Sequence, residues 1–404
     1  MMRIAFVSYE YPPDTTIGGI GEYTRQVASL LANEKFDIHI FAGSHIQSNT
    51  CIENDITIHR VQCTDPHNFK TNVVPYFEME HASNPFQLIE SPEIHGNAAE
   101  IKQSFPTVPL IIRLHASNWL VENFKKQYVP LKNKLRFLLG ALRRGRWDLG
   151  YWRSYDYKND ADYRYLQEAD FISAPSSQMK NWAVQNWKIE PDRIKVVENP
   201  FVENEAFKRV RTNNEEHAII FYGRLNVLKG LITATRAMKY ILKNNTGWKW
   251  IIVGADGNTA DGRSSMKHWM QKELKEQMLQ VTFYNSAAHE KIPFYLKQAS
   301  IVLIPSLFES YSYVTIEAMC AGKAIIGSND TGIASLIKNN VTGKLANAYK
   351  IDEWINAIQH LINHKRLRQD FGKAAYEYAD NKHKVNKEIV EFYKSMAVSN
   401  NFKN

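Results

Sequence analysis

Glu309 and Glu317 stand with seven residues between them in a stretch rich in small and apolar residues, 301–332. Two cations, Arg224 and Lys229, bracket a short loop some eighty residues earlier, and His115 closes the apolar run LIIRL. Carboxylates accept hydrogen bonds from hydroxyls and repel phosphate, whereas lysine and arginine neutralise phosphate. A ligand carrying a phosphate with a polyol at each end would use both kinds of group.

The elements around the glutamates fit that chemistry. Residues 301–305 have strand composition, 313–321 helix composition, Gly322 sits at a helix stop, and 324–327 read as a second strand. This is one βαβ unit, and ligands of such units bind outside the carboxyl ends of the strands. Ser312 is placed to cap the helix, so the amides of Ser312, Tyr313 and Val314 would face an anion there. Glu309 would lie just before those donors and Glu317 one turn beyond them. A nucleotide sugar has the matching shape, with ribose on one flank and pyranose on the other. A lone pair at this spacing is also what a helix with one capping and one solvent-facing glutamate would show.

Earlier in the chain, residues 3–8 read as a strand, followed by a turn-rich loop with Gly18, Gly19 and Gly21 and a helix over 22–32. Glycines there permit close approach of backbone to a phosphate, although a glycine cluster alone is weak evidence. Strands are expected at 36–42, 56–61, 86–90, 109–114, 171–174 and 194–197, with helices at 97–105 and 176–187. Such alternation builds a parallel sheet, and His115 would stand at a strand's carboxyl end. Further strands read at 218–222, 250–253 and 281–284.

Pro305, Ser306, Glu309, Tyr311, Glu317, Ala318, Met319 and Gly322 resemble the donor-site signature of the retaining glycosyltransferases of family 4 (glycosyl transferases group 1). Residues 223–230, GRLNVLKG, resemble that family's G-R-L-x-x-x-K-G, and Val197, Asn199, Pro200 and Phe207 its hinge. The departure is Ser312, where the family usually has glycine. The resemblance implies a GT-B fold: two Rossmann-like domains with parallel sheets facing an interdomain cleft. It implies an acceptor-binding domain at 1–200, a nucleotide-sugar domain at 201–385 and a last helix, 386–404, crossing back to the first. Carried over, Gly18 and Gly19 face the diphosphate and acceptor, and His115 touches the donor sugar. Arg224, Lys229 and the amides near Ser312 hold the diphosphate, Glu309 orients the pyranose, and Glu317 holds the ribose. No metal or other cofactor is expected.

The chain of 404 residues suits two domains, and 44% hydrophobic with 23% charged residues excludes a disordered class. No apolar run reaches the roughly 18 residues that cross a membrane. The start lacks a secretory pattern and the three cysteines show no metal spacing, so a cytoplasmic protein is expected, with the inner membrane face as one location. Net charge is +8, with 22 basic against 23 acidic residues in 1–200 and 28 against 19 in 201–404. No nucleic-acid module is recognisable. Residues 125–153 hold nine Lys or Arg and one acid among leucines and aromatics. That composition suits an interfacial helix on an anionic membrane and equally a helix with a solvated basic face. The run 143–146 could equally hold a phosphate-bearing acceptor. Asp160 and Asp162 form a D-x-D pair with no strand before it, for which chance is the better account.

The expectation is a transferase moving a sugar from a nucleotide diphosphate to a glycan or lipid-linked acceptor. A non-catalytic nucleotide-sugar or glycan binder is the alternative, followed by a basic membrane or nucleic-acid surface binder.

Overall fold

A computed structural model describes residues 1–15, 18–153, 155–201, 205–210 and 217–400. The chain divides into two compact units, Met1–Asn118 with Asp156–Val202 and Lys382–Asn404, and Trp119–Tyr155 with Glu203–Asn381.

The first unit is built on eight strands: β1 (Arg3–Ser8), β2 (Asp37–Ser44), β3 (Asn49–Glu53), β4 (Ile56–Gln62), β5 (Leu88–Pro92), β6 (Leu110–Arg113), β7 (Phe171–Ala174) and β8 (Ile194–Val196). Their order is β3-β4-β2-β1-β5-β6-β7-β8. All pairings are parallel except the β3–β4 hairpin. The hairpin was not foreseen. Its turn residues Asn54 and Asp55 both take positive φ, the conformation a tight hairpin demands and these side chains tolerate. Strands covered on both faces read as nearly continuous apolar runs, and β1 and β6 are buried at every position, their end residues Arg3 and Arg113 held by hydrogen bonds. Helix Gly19–Asn33 buries Val27 and Leu31 against Ile4, Ile38 and Ile40. Helix His383–Asn400 adds Ile389 and Tyr393 to the same core.

The second unit carries β9 (Ala218–Tyr222), β10 (Lys249–Val253), β11 (Val281–Tyr284), β12 (Ile301–Ile304), β13 (Ala324–Ser328) and β14 (Lys344–Ala346), ordered β11-β10-β9-β12-β13-β14 and wholly parallel. Residues 119–155, expected within 1–200, group with this unit. Phe124 and Tyr128 pack against its core, and Asn133 donates to Asp261 at 2.6 Å. Their basic, aromatic composition carried no sign of which core they would join. Around the expected hinge Val197, Asn199, Pro200 and Phe207, residues 202–204 and 211–216 lie outside the described residues.

Candidate functional site

In the second sheet β9 lies between β10 and β12, so the loops leaving β9 and β12 emerge side by side where the strand order reverses. The β9 loop is one tight turn. The Asn226 side chain accepts from the Lys229 amide at 3.1 Å, and Gly230 follows with φ +66°. A Cβ on Gly230 would overlap the Pro305 carbonyl, so only glycine lets the two loops touch. They are further joined by the Leu307 amide donating to the Leu228 carbonyl at 2.8 Å.

This contact brings together side chains 80 residues apart. Lys229 Nζ donates to Glu309 Oε1, which also accepts from Ser306 Oγ at 3.0 Å. Ser312 caps helix Tyr313–Cys320, its hydroxyl accepting from the Thr315 amide at 3.3 Å. Its backbone is ordinary extended chain and its side chain is buried, so the missing glycine leaves no projecting group at the helix end. Tyr313 and Val314 supply the first turn, half-buried. Glu317 lies farther along the helix, 2.7 Å from His289 Nε2, while Tyr222 donates to the Val314 carbonyl at 2.9 Å. Burial, followed by the Glu317 charge, raises the Tyr222 hydroxyl well above its ordinary range and keeps it a donor. Arg224 is exposed and makes no hydrogen bond or ion pair among the described residues.

In the first unit the polar groups gather at the carboxyl ends of β5 and β6. The His115 main-chain N–H donates to both oxygens of the fully buried Glu93, at 2.8 and 2.9 Å. Its Nδ1 lies 3.0 Å from the Arg113 carbonyl, which can only accept. In the neutral ring Nδ1 therefore carries the proton, and Nε2, buried and without a partner among the described residues, keeps a lone pair. The Tyr23 ring meets the imidazole edge-on at 5.4 Å, with the Arg113 guanidinium over its face. Arg113 is held in turn by Val197 O and Asn199 Oδ1, each at 2.7 Å. Behind it Glu90, its carboxyl raised by burial, accepts from Tyr23 and Tyr393. Gly18 stands at the start of helix Gly19–Asn33, where a Cβ would press on the Glu10 carboxylate, whereas Gly19 faces open space. Gly21 comes closest to backbone, since a Cβ there would lie 3.2 Å from the Glu10 carbonyl, whereas at Gly18 it would meet only the end of the Glu10 side chain. Thr16 and Ile17 lie outside the described residues.

The D-x-D pair has a local role. Asp160 caps a short helix, and Asp162 accepts from the amides of Asn118 at 2.9 Å and His95 at 3.3 Å. Burial pushes its carboxyl up to about 7. Glu93, Tyr23, His289 and Tyr222 were not foreseen as site residues. Glu93 follows a strand end, the signal that picked out His115, while His289 lies five residues beyond β11 with no motif to mark it.

The two units are thus α/β sheets with charged and hydrogen-bonding groups gathered at strand ends, the arrangement of GT-B glycosyltransferases. Two family models match consecutive parts of the chain: Glycosyltransferase Family 4 over residues 17–203 and Glycosyl transferases group 1 over 202–378. The chain belongs to this glycosyltransferase family. A D-inositol 3-phosphate glycosyltransferase of Corynebacterium diphtheriae is 21% identical, over 94% of this chain and 91% of its own. Among solved structures, sucrose-phosphate synthase from Thermosynechococcus elongatus matches with TM-score 0.74 at 18% identity, over 99% of this chain and all of its own. Anabaena HepE, solved with UDP, matches with TM-score 0.66 at 16% identity, over 98% and 100%.

Proposed function

We propose that the chain transfers a sugar from a nucleotide diphosphate donor to a hydroxyl of a glycan or lipid-linked acceptor, with retention at the anomeric carbon, in bacterial surface polysaccharide or glycoconjugate synthesis. The observation that carries this reading is the Lys229–Glu309–Ser306 cluster before the capped end of helix Tyr313–Cys320. In the reading, Lys229, Arg224 and the amides of Tyr313 and Val314 hold the diphosphate as charge builds on its bridging oxygen. Glu309 orients the pyranose, Glu317 holds the ribose, and the Nε2 lone pair of His115 accepts from a donor-sugar hydroxyl. The anomeric C–O bond to the diphosphate breaks, a new one forms to the acceptor oxygen, and the acceptor proton passes to the leaving phosphate. Lys229 bonds Glu309 in the structure, so donor binding exchanges that contact for a phosphate on one side and a hydroxyl on the other. The buried, capping Ser312 supports catalysis over the non-catalytic alternative, because it leaves the helix end open to phosphate.

The test is nucleotide release from UDP-, GDP- and ADP-sugars without added metal, with lipid-linked glycans, inositol phosphate and hexose phosphates as acceptors. The phosphorylated acceptors are included because the Corynebacterium relative is named for inositol 3-phosphate and the Thermosynechococcus structure for a sugar phosphate, sucrose phosphate. Lys229→Ala is expected to lower turnover by roughly two to three powers of ten. Near-wild-type turnover in that variant would remove its assigned role, and donor binding without release under every acceptor would favour the non-catalytic reading.

A further inference from the structure

The helix Leu131–Arg143 is amphipathic in an unusual sense, because its apolar side faces out. At about 3.6 residues per turn, Leu131, Leu135, Leu139 and Leu142 share one face and Asn133, Phe137 and Ala141 the opposite one. The second face is the one held by the protein: Asn133 bonds Asp261 and Arg263, Phe137 packs edge-on to Tyr151 at 5.3 Å, and Ala141 is buried. The four leucines are 65%, 46%, 65% and 43% exposed. Trp147 is 77% and Trp152 41% exposed on the segment that follows. A helix needing only its own unit would present polar residues on that outer face.

The charges around this face identify what covers it. Lys132, Arg136 and Arg143 flank the leucines and are exposed, as are Arg144 and Arg146 beyond them, and Asp148 is the one acid in 125–153. Cations beside an exposed apolar stripe with tryptophan nearby match the interface of an anionic bilayer, where such a helix lies in the plane with its apolar face sunk about 5–10 Å. We infer that the leucine face of Leu131–Arg143, with Trp147, docks peripherally on an anionic lipid surface. Among the described residues no helix is long and apolar enough to cross a membrane. The docking goes beyond the transfer reading and is measured without donor or acceptor, so either can fail alone.

The experiment is co-sedimentation of the full chain with vesicles of phosphatidylcholine alone or with about 30% phosphatidylglycerol. Association with the anionic vesicles is expected to be at least about tenfold the stronger, and to weaken as salt rises from about 0.1 to 0.5 M. The double variant Leu135→Glu/Leu139→Glu should lose it by tenfold or more, as should Arg136→Glu/Arg143→Glu, each melting with wild type because the changed side chains are exposed. Equal partition into both vesicles, no partition into either, or wild-type partition of the leucine variant overturns the inference. So does a dimer in light scattering that the leucine variant abolishes, which would make a second copy the occupant.

Discussion

Among the described residues three histidines are buried in the first unit, and they differ in what their ring nitrogens have left to do. His39 and His59 lie on neighbouring strands β2 and β4, with His39 Nδ1 2.9 Å from His59 Nε2. Arg3 Nη2, which can only donate, stands 2.9 Å from His39 Nε2, and Thr50 Oγ1 3.1 Å from His59 Nδ1. The chain of donors therefore runs from Arg3 through His39 and His59 to Thr50, and every ring nitrogen is used. Among the described residues His115 keeps one nitrogen unpartnered at a strand end. Burial alone does not single out His115; the difference is its unused hydrogen-bond capacity at a strand end, which is costly unless a ligand completes it.

The largest expected difference is in turnover. His115→Ala should lower it by roughly two to three powers of ten, as for loss of a polar contact at a reacting centre. His59→Ala should leave turnover near wild type and cost about 1–3 kcal/mol in urea unfolding, because His39 and Thr50 lose a buried partner. Equal loss of turnover in both variants at unchanged stability would erase the distinction.

A smaller effect is the pH dependence that the paired histidines contribute. Burial lowers His59 from 6.5 to about 4 and lowers His39 as well, with the Arg3 charge acting in the same direction. Around them stand the Glu80 and Asp37 carboxylates, which act oppositely and do not reverse the shift. A depressed histidine favours the neutral fold, so its contribution is fully present above about 6.5 and is lost as pH falls from there toward 4. The stability gap between wild type and His59→Gln should shrink across that window when unfolding is followed by urea titration. A gap independent of pH would mean that the pair is not held neutral.

The smallest effect is expected from metal. Ligand atoms of His39, His59 and Glu80 lie within 4.8 Å of one another, the spacing of a metal site. Arg3 occupies the His39 lone pair and donates to Glu80 at 3.0 Å, so a cation would have to displace a guanidinium already bonded to two of the three. Added Zn²⁺ or chelator should move the melting midpoint by less than about 1 °C, whereas tight binding at about a hundred times its Kd would stabilise by roughly 2.7 kcal/mol.

Much of the candidate site was legible because its signals are local. The Glu309 and Glu317 spacing, the Ser312 cap and the GRLNVLKG turn each depend on a few consecutive residues, as do the apolar runs that became β1, β7, β9 and β11. Short, polar or weakly apolar strands were missed. Exposed β3 and three-residue β14 owe their strand state to pairing with β4 and β13. Glu93 and His289 carry no spacing motif, since their partners His115 and Glu317 lie 22 and 28 residues away.

By itself the sequence determined the alternation of strands and helices, the two-unit size and the types of group available at the strand ends, all consequences of periodicity and turn chemistry over short windows. Tertiary structure alone decided which of those groups meet. Setting β9 beside β12 is what joins Lys229 to Glu309 across 80 residues, and setting β5 beside β6 is what lets Glu93 grip the His115 backbone. Core packing assigned 119–155 to the second unit and left Leu131, Leu135, Leu139 and Leu142 facing outward. Strand order and packing are long-range choices made by burying whole apolar faces together, and no short window of residues contains them.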